Sequence, residues 1–186
     1  MVDITVNDNR FFLRKIEEKD LDLIYSWRNS EQISKHMFKK NISWLEHLNW
    51  FQKLYSNERK STAFIFQYNN IPLGVINFHQ AEEDDIYYWG LYLGDRTIKK
   101  SGIVLGYLGL NYTFVFLNAT ILKADIFSAN KRSILFHEKV GFEKIGEYKK
   151  RIENKNKCLF NYVYNREKWL EENKKIYKNI VELYKQ

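Results

Sequence analysis

The sequence has almost no cysteine, the residue that cross-links small secreted proteins and holds metal clusters. Among its 186 residues, Cys158 is the only cysteine, which excludes a disulfide framework within the chain and a cysteine-cluster metal site. We therefore expect no metal cofactor and a reducing, cytoplasmic location. A single proline and 8 glycines, beside 45% hydrophobic residues, argue against a disordered or fibrous chain.

Long uninterrupted apolar runs are also missing. The longest charge-free run, residues 101–122, is broken by Asn111, Thr113, Asn118 and several glycines, whereas a membrane span needs roughly 20 predominantly apolar residues. The first ten residues lack the basic start and apolar block of a signal peptide. We therefore expect no membrane partner.

What the chain does have is positive charge and aromatic residues. Its formal net charge is +7 and 17% of its residues are aromatic, which suggests an anionic partner such as a coenzyme, a nucleotide or a nucleic acid. The basic residues are scattered and the strands show no aromatic signature of RNA binding, so nucleic acid is the disfavoured alternative. The length suits one domain over 1–186, with a core at about 9–165 and an amphipathic helix at 166–186.

Hydrophobic periodicity and turn residues predict strands that first pair as a hairpin and are later joined through helices. This order indicates the α/β class with a mixed sheet. The only proline, Pro72, is placed in the turn of the hairpin. Strands are predicted at 9–16, 63–68, 73–79, 87–93, 121–127, 142–152 and 157–164, and helices beginning at Asp20, Ser43, Ile103, Asn130 and Arg166.

The stretch from Tyr87 to Gly106 organises the chain. An aromatic strand, 87–93, is followed by a basic, glycine-punctuated turn and a long apolar helix. Strand, glycine turn and helix aim unpaired backbone N–H groups and a positive helix end at an anion. Lys99 and Lys100 add mobile positive charge. The stretch predicts a pyrophosphate-binding loop, with an ordinary turn carrying solvated lysines as the alternative.

Two motifs give the chain a resemblance to a known family. The segment Lys99-Lys100-Ser101-Gly102-Ile103-Val104 matches the acetyl-coenzyme A loop, Gln/Arg-x-x-Gly-x-Gly/Ala, of the GCN5-related N-acetyltransferase (GNAT) superfamily. Asn130 followed by His137-Glu138-Lys139-Val140-Gly141-Phe142 is similar to the later Asn and Tyr-x-x-x-Gly-Phe motif. Lys99, Val104 and His137 depart from the pattern, and Val104 would narrow the space for the pyrophosphate. The resemblance implies a mostly antiparallel central sheet with splayed middle strands, flanked by helices.

The same resemblance implies that acetyl-coenzyme A is the co-substrate. Amides at the start of the helix would meet the pyrophosphate, and the strand 90–93 would hold the pantetheine arm. A backbone N–H of Tyr92 or Leu93 would polarise the acetyl carbonyl. The expected coenzyme-binding residues are Leu91, Leu93, Lys99, Lys100, Ser101, Gly102, Ile103, Val104, Leu105, Asn130 and Ser133.

The general acid of the transfer is assigned to one residue, whereas the general base is left open among several. His137 would donate a proton to the departing thiolate. The general base stays open among His79, Tyr88 and the acidic turn 82–85. No histidine lies near Cys158 in the sequence, so direct attack in a ternary complex is expected.

The first third of the chain should bind the acceptor. Trp27-Arg28-Asn29, with 33–37 and 46–48, resembles the N-acetyltransferases of pseudaminic acid biosynthesis, which modify the 4-amino group of UDP-linked dideoxy sugars. The expected acceptor-binding residues are Arg28, Asn29, Met37, Phe38, His47 and Trp50, with Arg28 and His47 at the diphosphate. Alternatives are acetylation of a protein N-terminus or an aminoglycoside, and a degenerate fold without turnover. The oligomeric state is open, with a homodimer as one option.

Overall fold

Eight strands form one mixed sheet in the computed structural model, which describes residues 2–6, 9–56 and 61–184. The spatial order of the strands is β1-β2-β3-β4-β5-β6-β8-β7, and every neighbouring pair is antiparallel except β5 and β6. The strands are β1 (Val2–Val6), β2 (Asn9–Lys15), β3 (Thr62–Tyr68), β4 (Ile71–Gln80), β5 (Ile86–Leu93), β6 (Ile121–Phe127), β7 (Glu143–Ile152) and β8 (Lys155–Asn165). The helices are α1 (Leu21–Asn29), α2 (Glu31–Ser34), α3 (Trp44–Tyr55), α4 (Ser101–Asn111), α5 (Lys131–Val140) and α6 (Arg166–Leu183).

The sheet opens between its two middle strands. β5 and β6 pair only over Ile86–Tyr88 and Ile121–Lys123. Beyond that point β5 stays paired with β4 and β6 stays paired with β8. The predicted mixed, mostly antiparallel sheet with splayed middle strands is therefore confirmed.

Helices cover both faces of the sheet. On one face, Leu108 of α4, Ile134 of α5 and Trp169 of α6 pack in the large core together with Phe78 and Trp89 of the sheet. On the other face, α1 and α3 close a smaller core around Ile24, Ile65 and Val75. Among the described residues no helix combines the length and the apolar character needed to cross a membrane.

Local signals in the sequence are partly confirmed. Ser43 and Glu46 form the predicted capping box of α3. The β3–β4 turn is made by Asn69 and Asn70, whose φ angles are 45° and 69°, so Pro72 lies within β4 and its placement in the turn was wrong. Asp20 gives no side-chain cap to α1, because its carboxylate accepts two hydrogen bonds from the Arg14 guanidinium instead.

Candidate active site

A cleft of about 900 Å³ begins where β5 and β6 diverge. Its walls are the free edges of the two strands, the first turn of α5, and the segment from α1 to α3. Gly102 at the start of α4 opens onto it. A cleft of this size is ample for a small-molecule ligand and is mostly preformed.

The backbone of β5 offers hydrogen-bonding groups to this cleft. The Gly94 N–H donates to Leu73 O (2.9 Å) and the Ala81 N–H to Ile86 O (2.8 Å), at the two ends of the β4–β5 pair. Since such bonds alternate along an antiparallel ladder, every second residue of β5 turns its N–H and C=O away from β4. Those residues are Trp89, Leu91 and Leu93.

This alternation corrects one of the predicted oxyanion donors. Tyr92 lies opposite Val75 in the β4–β5 register, at a position where the N–H is used by β4. Leu93 and Leu91 instead turn their amides toward the gap. The Tyr92 phenol faces the smaller core, where burial raises its pKa while the Arg28 charge opposes the shift.

The first turn of α4 fits an anion. Lys100 adopts a left-handed φ of 64°, and within the described residues no side chain caps this helix. The Ser101 N–H donates to Ile98 O at 3.4 Å and the Ile103 N–H to Lys100 O at 3.0 Å, which leaves the Gly102 amide of the first turn open to a ligand. A Cβ built on Gly102 would meet only Leu93 Cδ1, at 3.5 Å. The buried Ser101 hydroxyl has no hydrogen-bond partner among the described residues. Lys99 and Lys100 are exposed beside the turn.

Val104 does not narrow the cleft as its departure from the motif suggested. The side chains of Val104 and Leu105 are both fully buried in the large core. Their side chains therefore cannot touch a ligand, and only their backbones remain as candidates.

Two arginines at the cleft were missed by the sequence analysis. Arg96, from the loop after β5, and Arg132, from the first turn of α5, both line it. The Arg96 Nε is buried with no hydrogen-bond partner in the part of the chain that the structure describes. Burial and the charge of Arg132 lower the pKa of Arg96. Two neighbouring guanidiniums favour an anionic group between them, and a basic residue inside the Asn130–Ser133 motif was the available signal.

Both ring nitrogens of His137 are engaged in hydrogen bonds within the protein, which does not fit its predicted role as the general acid. Its Nδ1 lies 2.7 Å from the Ser133 carbonyl oxygen, which can only accept, so Nδ1 carries the proton. Its Nε2 accepts a hydrogen bond from the Trp89 indole N–H at 3.1 Å. Burial of the ring lowers the pKa of His137 to about 4. A neutral imidazole with both nitrogens engaged has no proton to give a thiolate, so this geometry argues against the acid role.

The buried His137 should make the protein less stable in mild acid. Its pKa falls from an ordinary 6.5 to about 4 on folding, so below pH 6.5 the unfolded chain binds a proton that the folded chain does not. The contribution of neutral His137 to the free energy of unfolding is fully present above pH 6.5. It is lost as the pH falls toward 4, and it amounts to about 3 kcal/mol in total. Thermal unfolding from pH 7 to 4 would show it, and His137→Gln should flatten the slope. An unchanged slope in that variant would contradict the prediction.

Of the predicted coenzyme contacts on α5, Asn130 and Ser133 do line the cleft. The Asn130 Oδ1 also caps the helix by accepting from the Ser133 N–H at 3.2 Å. The Ser133 hydroxyl lies 3.4 Å from His137 Nδ1. Both residues thus combine a structural role with a position in the cleft wall.

On the acceptor side, Arg28 and Asn29 shape a loop over the cleft. Arg28 donates to the carbonyl oxygens of Lys39 and Lys40, at 2.5 and 3.0 Å. The Asn29 amide exchanges two hydrogen bonds with the Ile42 backbone, and Asn29 is absent from the cleft lining. The predicted direct contact of Asn29 with the acceptor is therefore wrong, because its polar atoms hold the loop.

The loop continues across the cleft mouth. Met37 and Phe38 both line the cleft. The Phe38 ring packs on Phe127 at the end of β6, with a centroid distance of 5.3 Å. The ammonium group of Lys150 in β7 also lies over this ring, 5.0 Å from the Phe38 centroid. In addition, the Glu153 carboxylate accepts a hydrogen bond from the Lys40 N–H at 3.1 Å.

His47, predicted to contact a diphosphate, lines the cleft but is held by its neighbours. It is 1% exposed, and its Nε2 lies 3.0 Å from the Leu21 carbonyl oxygen, to which it donates. Burial lowers its pKa, so the ring is neutral near pH 7. It stacks on Trp50, which is itself part of the smaller core and of the cleft wall. His47 ties α3 to α1, and its contact with a diphosphate stays a prediction.

The candidate bases are separated by the structure. The acidic turn 82–85 precedes the paired end of β5, away from the splay, and the cleft lining in the described chain does not include it. Tyr88 stacks on His79 at 5.2 Å, and burial, Asp125 and Glu83 raise the Tyr88 pKa, which keeps the phenol protonated. His79 does line the cleft.

Asp125 is a carboxylate in the cleft that the sequence analysis missed. It lies on the free edge of β6 and lines the cleft. Its Oδ2 accepts from the Tyr148 hydroxyl at 2.9 Å, and its Oδ1 accepts from the Asn161 amide at 2.5 Å. Among the described residues no three His, Cys, Asp or Glu side chains are grouped to hold a metal. A fixed carboxylate facing a cleft suits an acceptor of protons or of amine N–H groups.

Comparison with known proteins supports this description. The family model for the acetyltransferase (GNAT) domain matches residues 10–143. Acetyltransferase PseH of Campylobacter jejuni subsp. jejuni serotype O:23/36 is 29% identical over 128 residues, which are 69% of this chain and 80% of that protein. PseH of serotype O:2 is 30% identical over 128 residues, with the same coverage.

Solved structures share the fold at low sequence identity. Spermidine N-acetyltransferase from Vibrio cholerae, in complex with CoA and spermine, has a TM-score of 0.76 at 16% identity, covering 86% of this chain and 98% of that one. Aminoglycoside acetyltransferase AAC(6')-Ib in complex with coenzyme A has a TM-score of 0.74 at 20% identity, covering 87% and 98%.

Proposed function

Because the chain belongs to the acetyltransferase (GNAT) family, we propose that it transfers an acetyl group from acetyl-coenzyme A to the primary amine of a nucleotide-linked aminosugar. The observation that carries this proposal is the cleft between β5 and β6, with an uncapped helix start at one wall and a fixed carboxylate at the other. Family membership favours an enzyme over the nucleic-acid-binding alternative.

The residues at the coenzyme wall fit the co-substrate. Gly102 leaves open space where a side chain would project. The Arg96 Nε, which has no hydrogen-bond partner among the described residues, belongs to a side chain of the cleft lining and could donate to an anion. The open Gly102 amide in the first turn of α4 would donate to the pyrophosphate. The backbone edge of Leu91 and Leu93 would pair with the pantetheine arm, as an added strand does. When bound, acetyl-coenzyme A supplies the activated acetyl thioester.

The catalytic groups act from opposite strands of the splay. A main-chain N–H of Leu93 or Leu91 would donate to the acetyl carbonyl oxygen and so favour the charge that develops there. Asp125 would accept a proton from the acceptor amine. His79 is the alternative base, since it lines the same cleft. Both strands are held by neighbours in the sheet, which fixes the geometry.

The acceptor assignment rests on the charge and shape of the cleft. On the wall formed by the segment from α1 to α3, the lining includes Arg28 and Lys35, and Glu46 is its carboxylate among the described residues. The Glu46 charge is balanced by an ion pair with Lys39. A positive lining suits an acceptor that carries phosphate better than a polycationic amine. Met37, Phe38 and Trp50 would offer apolar or stacking surface to sugar and base.

Thiol release from acetyl-coenzyme A, measured against a panel of amines, tests the proposal. UDP-linked 4-amino-4,6-dideoxy sugars should be acetylated, while spermidine, kanamycin and peptide N-termini should react at least tenfold more slowly. Preference for an aminoglycoside or a peptide would select the corresponding alternative. No release with any amine would leave a fold without turnover. A cytoplasmic location stays a prediction, and the oligomeric state stays open with a homodimer as one option.

Replacing Gly102 by phenylalanine should weaken coenzyme A binding at least tenfold. The new ring would occupy space that a Cβ alone leaves open, since that Cβ meets only Leu93 at an ordinary 3.5 Å. Isothermal titration with coenzyme A measures the effect, and Gly102→Ala is the matched control with near-normal affinity. Equal affinity in the phenylalanine variant would place the phosphate site elsewhere.

A further inference from the structure

We infer that Tyr148 and Asn161 are positioning residues for acetyl transfer, which hold the Asp125 carboxylate toward the cleft in one orientation. The inference rests on the proposed function, in which Asp125 takes the proton of the acceptor amine. Neither residue belongs to the sequence motifs of the coenzyme site.

Each carboxylate oxygen of Asp125 has its own donor. The Tyr148 hydroxyl donates to Oδ2 at 2.9 Å and the Asn161 amide donates to Oδ1 at 2.5 Å. An ionised carboxylate oxygen accepts at more than one lone pair, so both oxygens retain capacity for an amine N–H. Two donors fix the plane of the carboxylate, and a base that does not rotate meets its proton in one orientation.

The two donors come from neighbouring strands and not from mobile loops. Asp125 and Asn161 are direct partners in the β6–β8 pair. Tyr148 lies opposite Leu159 in the β7–β8 pair, and Leu159 is fully buried beside it. The phenol of Tyr148 therefore reaches across β8 to the carboxylate. A site supported by sheet register is more rigid than one carried by loops.

The Tyr148 phenol keeps its proton throughout the working pH range. Burial and the hydrogen bond to the Asp125 charge raise the pKa of Tyr148, so it remains a donor. The other titratable group facing Asp125 is Tyr88 of β5, whose pKa is raised as well. Lys123 precedes Asp125 on the same face of β6, and its Nζ lies over the Tyr88 ring.

Loss of either donor should appear in kcat and not in coenzyme binding. We expect Tyr148→Phe and Asn161→Leu to lower kcat about tenfold, since a carboxylate free to rotate meets the amine proton less often in the productive orientation. The KM for acetyl-coenzyme A should stay within about twofold, because neither residue lies at the α4 turn. The acceptor is the UDP-linked 4-amino-4,6-dideoxy sugar.

Tyr164→Phe is the matched control. Its hydroxyl also donates to a carboxylate, Glu172, at 3.1 Å, but it lies in the large core and away from the cleft. It should lose stability to a similar degree and keep the wild-type kcat. Melting temperatures of all three variants separate folding from catalysis, and Asn161→Leu serves if Tyr148→Phe does not fold.

A wild-type kcat in both folded variants would overturn the positioning role. A loss of kcat in both, with an unchanged KM for acetyl-coenzyme A and a wild-type kcat in the control, would support it. Asp125→Asn decides the proposed base independently. If Asp125→Asn is inactive while the two donor variants are unaltered, only the positioning inference fails. If Asp125→Asn retains the wild-type kcat, the base assignment fails, and the inference with it.

Discussion

Asp125→Asn is expected to lower kcat by about 10²- to 10⁴-fold, the range in which positioned acid–base groups contribute. The substitution keeps the size of the side chain and one acceptor oxygen for the donors that reach it from β7 and β8. It removes the negative charge that would take the amine proton. Steady-state kinetics with the proposed aminosugar acceptor measure the effect, and coenzyme A affinity should be unchanged.

A matched control for this variant is Asp84→Asn. Asp84 lies in the acidic turn before β5 and accepts from the Gln80 side chain, outside the cleft lining. The control should retain wild-type kcat. If Asp125→Asn also retains it, His79→Ala becomes the decisive variant, because His79 is the other candidate base in the cleft wall.

Gly94→Ala should lower the melting temperature by about 3–10 °C, which corresponds to the 1–3 kcal/mol typical of overpacking in a chain of this size. A Cβ at this position would lie 2.0 Å from Cδ2 of the Trp27 ring, so the indole must move. Trp27 belongs to the smaller core, and its displacement would carry Arg28 away from the loop that it holds. The acceptor KM should therefore rise as well.

Gly102→Ala provides the control for that stability measurement. Its new Cβ meets Leu93 at 3.5 Å, which is ordinary van der Waals contact, and alanine favours a helix over glycine by up to about 1 kcal/mol. Differential scanning calorimetry should find it at least as stable as the wild type. A normal melting temperature for Gly94→Ala would contradict the prediction, because it would mean that the Trp27 side chain can move aside without loss of stability.

Local signals predicted helix starts well where the interacting residues are close together in the sequence. The capping box at Ser43 and the helix start at Asn130 were confirmed, because their partners lie three residues away. The alternating apolar residues of the first strand at the N-terminus, Val2–Val6, were overlooked. The helix 103–116 ends as an α-helix at Asn111 and continues as a π-helical turn over Tyr112–Phe116, for which the sequence offered no cue.

The candidate site was only half predictable. The glycine turn and the Asn130 motif are each one continuous stretch of sequence, so each can be recognised by itself. That they meet at one cleft follows from the strand order. The role of Asp125 depends on the register that brings Tyr148 and Asn161 beside it from 23 and 36 residues away. The tautomer of His137 depends likewise on Trp89, 48 residues distant. Single-sequence patterns carry no information on such pairings.

The brevity of the β5–β6 pairing also governs how the protein responds to ligands. Three residues of each strand join the two halves of the sheet through the backbone, which is fewer than the five residue pairs of β1–β2 or β2–β3, so local opening of the sheet should need little free energy here. A molecule lying between the strands would bridge the halves. Its binding would raise the free energy of unfolding by about 2.7 kcal/mol at a concentration one hundred times Kd. Coenzyme supply would then set how long the folded enzyme survives proteolysis in a cell.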